Sequence, residues 1–253
     1  SGQGNHNLRV GDVDGDGCDE ITYGSMAVDN DGTGLYTTGM GHGDAIHQMA
    51  FYPDSTSIQV WDVHENKRDG SAFRDARTGR VIFQIPSSSD VGRGMAADID
   101  PTNPGLEMWS SSQKGYFDVT GKHHHANDPG IPQNSAVWWD GDKLRELLDH
   151  ESISKYDWTT GRCNKIKDFK AEGCLFNNGS KQNPCLSADI IGDWREEVIV
   201  RTKDSSELRI YTTTIPTSYR FVSFMENKPY RISVATENVG YNQPPEPDFY
   251  FGE

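Results

Sequence analysis

The sequence predicts an all-β fold of the β-propeller type, on three observations. Short β-prone runs alternate with Gly, Asp, Asn and Pro along the 253 residues. Helical periodicity is nearly lacking. An Asp-rich turn, an acidic residue and an apolar run recur together, roughly 40–50 residues apart, a spacing typical of propeller blades.

The first copy of that unit is residues 11–21 (GDVDGDGCDEI). It returns at residues 97–107 (ADIDPTNPGLE) and 188–198 (ADIIGDWREEV). Residues 50–54 (AFYPD) ahead of 58–61 (IQVW) form a weaker copy, and residues 138–142 (WWDGD) mark another. Residues 58–63 (IQVWDV) and 206–211 (SELRIY) alternate apolar and polar side chains as half-buried strands do. Residues 72–83 form a hairpin in which Gly79 takes the positive φ of the turn. Residues 143–149 (KLRELLD) read equally well as a short helix or as a strand. The tryptophans of WWDGD are expected to be buried between units rather than stacked on a ligand, and residues 123–132 form an exposed loop. The whole of residues 1–253 is expected to be part of a single propeller domain.

A net charge of −14 argues against nucleic acid, whose phosphates need clustered Lys and Arg. With a mean hydropathy of −0.72, no window approaches a membrane span of about 18 apolar residues. Four cysteines without a CxxC pair exclude a zinc knuckle; Cys163 and Cys174 are spaced so that a bridge across a loop is open. Residues 1–4 carry neither a basic start nor an apolar run, so a secretion signal is expected to be removed or to lie upstream.

In the first loop Asp12, Asp14, Asp16 and Asp19 place carboxylates at close spacing among glycines that let the chain wrap an ion. Hard cations with flexible oxygen coordination want that arrangement, and calcium fits best. Asp98, Asp100 and Glu107 are a degenerate version, and residues 29–32 (DNDG) form a further candidate loop. The alternative is a set of Asp turns capped by their own side chains. His6, His42, Asp44, His47, His64 and Glu65 lie at the ends of successive candidate strands. His42 and Asp44 share one face of an extended segment, so they can share an ion. Imidazole ligands favour zinc or manganese over calcium there.

Residues 41–45 (GHGDA), 90–98 (DVGRGMAAD), 138–142, 192–197 (GDWREE), 209–216 (RIYTTTIP) and 241–245 (YNQPP) strongly resemble the rhamnogalacturonan lyases of polysaccharide lyase family eleven, in the same order over the whole chain. The resemblance implies an eight-bladed propeller binding several calcium ions, of which this chain covers the later blades. It also implies an N-terminal β-domain and early blades before Ser1, with which the chain packs. It further implies that His6, His42, Asp44 and Glu65 hold calcium near the cleft, which overrides the zinc preference, with manganese or another divalent ion open at His6, His42 and Asp44. Asn178, Gly179, Ser180 and Lys181 match the substrate-contact loop, with Ser180 where the family commonly has Thr. Arg93 and Tyr241 match the remaining active-site residues.

The implied substrate is rhamnogalacturonan I, the acidic backbone of pectin, so the protein is expected to be secreted, cell-surface or periplasmic. Its C5 proton lies beside an ionised carboxylate and is a very poor acid, so neutralising that carboxylate is the dominant requirement. Arg93 suits bidentate carboxylate binding. Lys181 is assigned as the base and Tyr241 as the residue that positions the sugar or protonates the leaving oxygen; the reverse assignment stays open. The short connection between Glu65 and Arg93 favours endo cleavage, because exo-acting relatives carry an obstructing loop there. The chief alternative is a non-catalytic carbohydrate-binding propeller. A glycoside hydrolase would need a pair of acidic residues at the cleft, and none stands out.

Overall fold

The computed structural model describes residues 2–127 and 130–253. Five antiparallel sheets follow one another along the chain. The first contains β1 (Arg9–Gly11), β2 (Glu20–Tyr23), β3 (Met26–Val28) and β4 (Gly34–Thr37). The second contains β5 (Gly43–Met49), β6 (Gln59–His64), β7 (Ser71–Asp75) and β8 (Val81–Ile85). The third contains β9 (Gly94–Ala97), β10 (Glu107–Ser110), β11 (Tyr116–Phe117) and β12 (His123–His124). The fourth contains β13 (Ala136–Val137), β14 (Glu146–Asp149), β15 (Ser152–Asp157) and β16 (Arg162–Asp168). In these four the strands pair in chain order. In the fifth, β17 (Cys174–Leu175) and β18 (Leu186–Ala188) share one side of β19 (Glu197–Thr202), and β20 (Leu208–Tyr211) takes the other.

Each of the five repeat units leads from one strand of a sheet into the strand that starts with an acidic or amide residue: the first strand in four sheets, and β18 in the fifth. That residue explains the repeat. An oxygen of Glu20 accepts from Val13 N–H, of Gln59 from Phe51, of Glu107 from Ile99 and Asp100, of Glu146 from Trp139 and Asp140, and of Glu197 from Ile190 and Ile191. A loop turning into a buried strand has backbone donors that cannot reach water, and one side chain satisfies them.

Consecutive sheets pack through shared apolar clusters. Val13 and Leu35 meet Ile46 and Val60 between the first and second sheets. Trp61 and Phe73 meet Ala96 and Met108 between the second and third, and Trp109 and Tyr116 meet Leu147 and Tyr156 between the third and fourth. Leu148 and Ile153 meet Val198 and Val200 between the fourth and fifth. Trp138 and Trp139 are buried as expected; Trp138 lies beneath the Arg145 guanidinium, 3.9 Å from the ring centroid.

Residues 237–253 contain no strand, yet they touch every sheet. Glu246 binds Arg9, His47 and the Gln48 N–H; Pro244 and Pro245 carbonyls accept from Arg9 and Arg145. Both carboxylate oxygens of Glu237 accept from Ser187 N–H, and Tyr250 and the Glu253 N–H donate to Asp98.

Among the described residues the α-helix is the nine-residue α1 (Lys228–Thr236), as little helix as expected but not at the candidate residues 143–149. Asn227 caps it by accepting from Tyr230 N–H, and Pro229 stands in its first turn, a start signal visible in the sequence. Residues 143–149 resolve as a loop followed by β14, because Leu147 and Leu148 face different apolar clusters. No bridge joins Cys163 and Cys174: Cys163 packs in the cluster between the third and fourth sheets, while Cys174 is buried in the next. His123 and His124 form β12 with an exposed and a half-buried side chain; Asp128 and Pro129 of the loop read there lie outside the described residues. Among the described residues no helix is long and apolar enough to cross a membrane.

Burial pushes the Glu237 carboxyl up to about 8. The native state therefore keeps that proton well above the pH at which the unfolded chain releases it. Its contribution to stability is complete below the ordinary glutamate range, near pH 4.5, and is lost as pH rises through 8. Glu237→Gln, which mimics the protonated form, is expected to gain melting temperature relative to wild type between pH 5 and pH 8. A difference constant across that range would contradict the assignment.

Candidate active site

A short loop carries Lys181. Residues 177 and 183 close it by a β-bridge, and Gly179–Lys181 form a single 3-10 turn. Asn178 and Gly179 both take positive φ, at 62° and 54°, so the loop is held in a conformation that a non-glycine residue adopts only under constraint. The constraint on Asn178 is a hydrogen bond from its amide to Asn242 Oδ1 at 3.0 Å. Lys181 Nζ donates to the Gly92 carbonyl at 2.7 Å and lies 4.3 Å from the centroid of the Tyr241 ring. Burial lowers the Lys181 ammonium, and Arg93 lowers it further against the opposing pull of Asp44.

Arg93, immediately before β9, is 5% exposed. Its Nε donates to Asn134 Oδ1 at 3.1 Å, and its Nη2 donates to the carbonyls of Asn134 and of Asn242. Its Nη1 has no partner in the protein. Burial pushes the guanidinium down to about 10, where it is still charged near neutrality. A buried cationic donor without an acceptor is costly. Arg93 lines a cleft of about 510 Å³ with Lys181, Ser180, Asn134, Asp149 and His150.

The histidine cluster adjoins this cleft. Tyr241 stacks on His6 at 4.1 Å, and the His6 and His42 rings meet edge to face at 4.7 Å. His6 Nε2 is 3.3 Å from Glu65 Oε1 and 3.4 Å from Asp44 Oδ1; His42 Nε2 is 3.8 Å from the same Glu65 oxygen. Ligand atoms of His6, His42 and Glu65 all lie within 4.8 Å of one another. Two imidazoles and one carboxylate converging fit a divalent cation, while Asp44, also expected there, is brought next to His6 but is not in that group; burial raises its carboxyl. His47 and His64 do not join them. His47 is buried against Glu246, and His64 is buried beside Asp62, because their side chains enter the core.

The chain matches, over residues 1–253, the family described as rhamnogalacturonan lyase family 11, C-terminal domain. The chain belongs to that family. It is 49% identical over 255 residues to the rhamnogalacturonan endolyase YesW of Bacillus subtilis (strain 168), covering all of this chain and 40% of that protein. It is 48% identical over 268 residues to the rhamnogalacturonan exolyase YesX of the same organism, covering 44% of it. The solved structure of YesW superposes with a TM-score of 0.94 at 49% identity, and that of a Bacillus licheniformis family 11 rhamnogalacturonan lyase with 0.95 at 50%. Both comparisons cover the whole of this chain and 43% of the other. The chain thus spans less than half the length of the relatives it matches.

The acidic loops of this family 11 chain share one scaffold and differ in what faces it. In the first, Asp12, Asp14 and Glu20 bring carboxylate oxygens within 4.8 Å of one another. Glu20 Oε1 is buried and has no partner. An orphaned carboxylate oxygen facing two others is a fit for a hard cation. Glu20 was not singled out as a ligand from the sequence. Asp16 instead caps Cys18 N–H, and Asp19 pairs with Lys228 Nζ at 2.7 Å. Asp98, Asp100 and Glu107 do not converge: Asp98 holds Tyr250 and the Glu253 N–H, and Asp100 binds Thr102, Asn103 and the Tyr116 hydroxyl. Asp29 and Asp31 cap the turn between β3 and β4.

The fourth loop repeats the first with one change. Asp140, Asp142 and Glu146 converge, and Lys155 Nζ lies 2.9, 2.7 and 2.6 Å from them. The ammonium stands where the first loop leaves Glu20 Oε1 unmet. Removing one member of a largely buried ionic cluster leaves its charges uncompensated and costs about 3 kcal/mol. Lys155→Met is therefore expected to melt well below wild type in chelator and to recover when calcium is added. A variant as stable as wild type in chelator would contradict this reading.

Proposed function

We propose that the protein carrying this chain cleaves rhamnogalacturonan I by β-elimination at galacturonate, with Arg93, Lys181 and Tyr241 at the reacting sugar. The observation that carries the reading is that Arg93, whose buried Nη1 has no partner in the protein, lines the same cleft as Lys181. A carboxylate of the substrate is the acceptor it lacks. By binding it, Arg93 withdraws charge from the carbon whose proton must leave. A divalent cation at His6, His42, Asp44 and Glu65, calcium by family resemblance, would supply further neutralisation of the anionic substrate.

Lys181 in its neutral form takes the C5 proton. The C4–O bond breaks as the C4=C5 double bond forms, and the electron pair leaves on the oxygen, which Tyr241 protonates. The lowered basicity of Lys181 increases the neutral fraction at a given pH, and its contact with the Tyr241 ring supports pairing the two as base and acid. We further propose that the five sheets are blades of a propeller completed by a preceding part of the protein, and that the enzyme works outside the cytoplasm, where pectin is found. Endo cleavage is favoured by length. The match to the endolyase runs over 255 positions and that to the exolyase over 268, against 253 residues here.

In the full-length protein, Lys181→Ala is expected to lower kcat by about 10²–10⁴-fold at unchanged melting temperature, followed by the ultraviolet absorbance of unsaturated product. In the active enzyme, kcat rises with pH as Lys181 loses its proton. Turnover undiminished by the substitution would sink the assignment. Binding of the polymer without that absorbance would fit a non-catalytic carbohydrate-binding module instead.

A further inference from the structure

Asn134 lies two residues before β13, 5% exposed, in the wall of the cleft. Its side chain divides its bonding between the two halves of the site. The oxygen accepts from Arg93 Nε at 3.1 Å, and the backbone carbonyl accepts from Arg93 Nη2. The amide nitrogen donates to Asp149 Oδ1 at 2.7 Å and to the Ser180 carbonyl at 3.3 Å. A short side chain that accepts at one end and donates twice at the other must be a primary amide. Aspartate would lose both donors and face Asp149 with a second carboxylate; leucine would lose every side-chain bond and keep only the backbone carbonyl's.

The consequences converge on the reacting groups. Nε and Nη2 of Arg93 are engaged by Asn134 and the Asn242 carbonyl, so Nη1 alone is left without a partner. Ser180, pinned through its carbonyl, is the neighbour of Lys181. Asp149 fixes the amide from behind, and its charge opposes the downward push of burial on Arg93.

We infer that Asn134 is a positioning residue for the elimination: it aims Arg93 at the substrate carboxylate and fixes the loop of residues 178–181 against it. The inference rests on the reading of Arg93 and Lys181 given above. It has no part in proton transfer, so its loss acts through geometry. A displacement near 1 Å at reacting groups costs about 10²-fold.

The test is a double-mutant cycle in the full-length protein, with rhamnogalacturonan I as substrate, absorbance of unsaturated product as readout and melting temperature as folding control. Asn134→Ala is expected to lower kcat about 100-fold, with a smaller change in KM. Combined with Arg93→Ala, the double variant is expected to be at least about 10-fold faster than the product of the two separate losses, because the group being aimed is gone. Losses that simply multiply, or an Asn134→Ala kcat within about twofold of wild type, would overturn the inference. An Arg93→Ala enzyme with full kcat would instead overturn the reading of the site itself. If Asn134→Ala fails to fold, Asn134→Leu, which restores side-chain volume but none of the side-chain hydrogen bonds, enters the same cycle and is expected to show the same non-additivity.

Discussion

A carboxylate can stay ionised away from water only where cations and donors surround it, and Glu246 meets that condition with groups from several parts of the fold. It is fully buried, and Arg9 from the first sheet and His47 and the Gln48 N–H from the second converge on it. Against the upward push of burial, Arg9 and His47 hold its carboxyl below the ordinary range. The segment that carries it also binds the fourth sheet through Arg145, the fifth through Glu237 and the third through Asp98. Apolar clusters join each sheet only to its neighbours, so this strandless segment is what relates them all. It also delivers Tyr241 and Asn242 to the cleft, where Asn242 restrains both Arg93 and Asn178.

That arrangement resolves an electrostatic conflict. A chain of net charge −14 is proposed to help bind a polyanion, and its own long-range field cannot attract one, particularly under physiological screening. Local cations must do so. Arg93 and Lys181 stand in one cleft beside a cluster of histidines and carboxylates able to hold a divalent ion. The same theme appears in the scaffold, where the Asp12 loop leaves a buried oxygen unmet and Lys155 supplies the charge in the loop around Glu146.

The repeat was legible because a loop turning into a buried strand needs an Asp-rich turn and an acidic anchor, and both leave a mark on the sequence. All five units correspond to one sheet each. The copy at residues 50–61 reads weakly because its anchor is Gln59, whose amide does the same work without the charge. Of His6, His42, Asp44 and Glu65, named together from the sequence, His6, His42 and Glu65 converge, while Asp44 approaches His6. His47 and His64 could not be separated from them, because which histidines enter the core depends on the packing of the second sheet. Glu20 was hidden among surface acids; only burial distinguishes it from Asp16 and Asp19. Asn134 carries no sequence signal, and Asn242 only its place in the YNQPP motif, since their roles arise from contacts between segments far apart in the chain.

The central claim is that Arg93 reserves Nη1 for the carboxylate of a bound galacturonate. A crystal structure of the full-length Lys181→Ala protein with an uncleaved rhamnogalacturonan oligosaccharide measures this directly. The account predicts a uronate oxygen about 2.7–2.9 Å from Arg93 Nη1, with the C5 hydrogen facing position 181. An oligosaccharide whose carboxylates all lie away from Arg93 would contradict it.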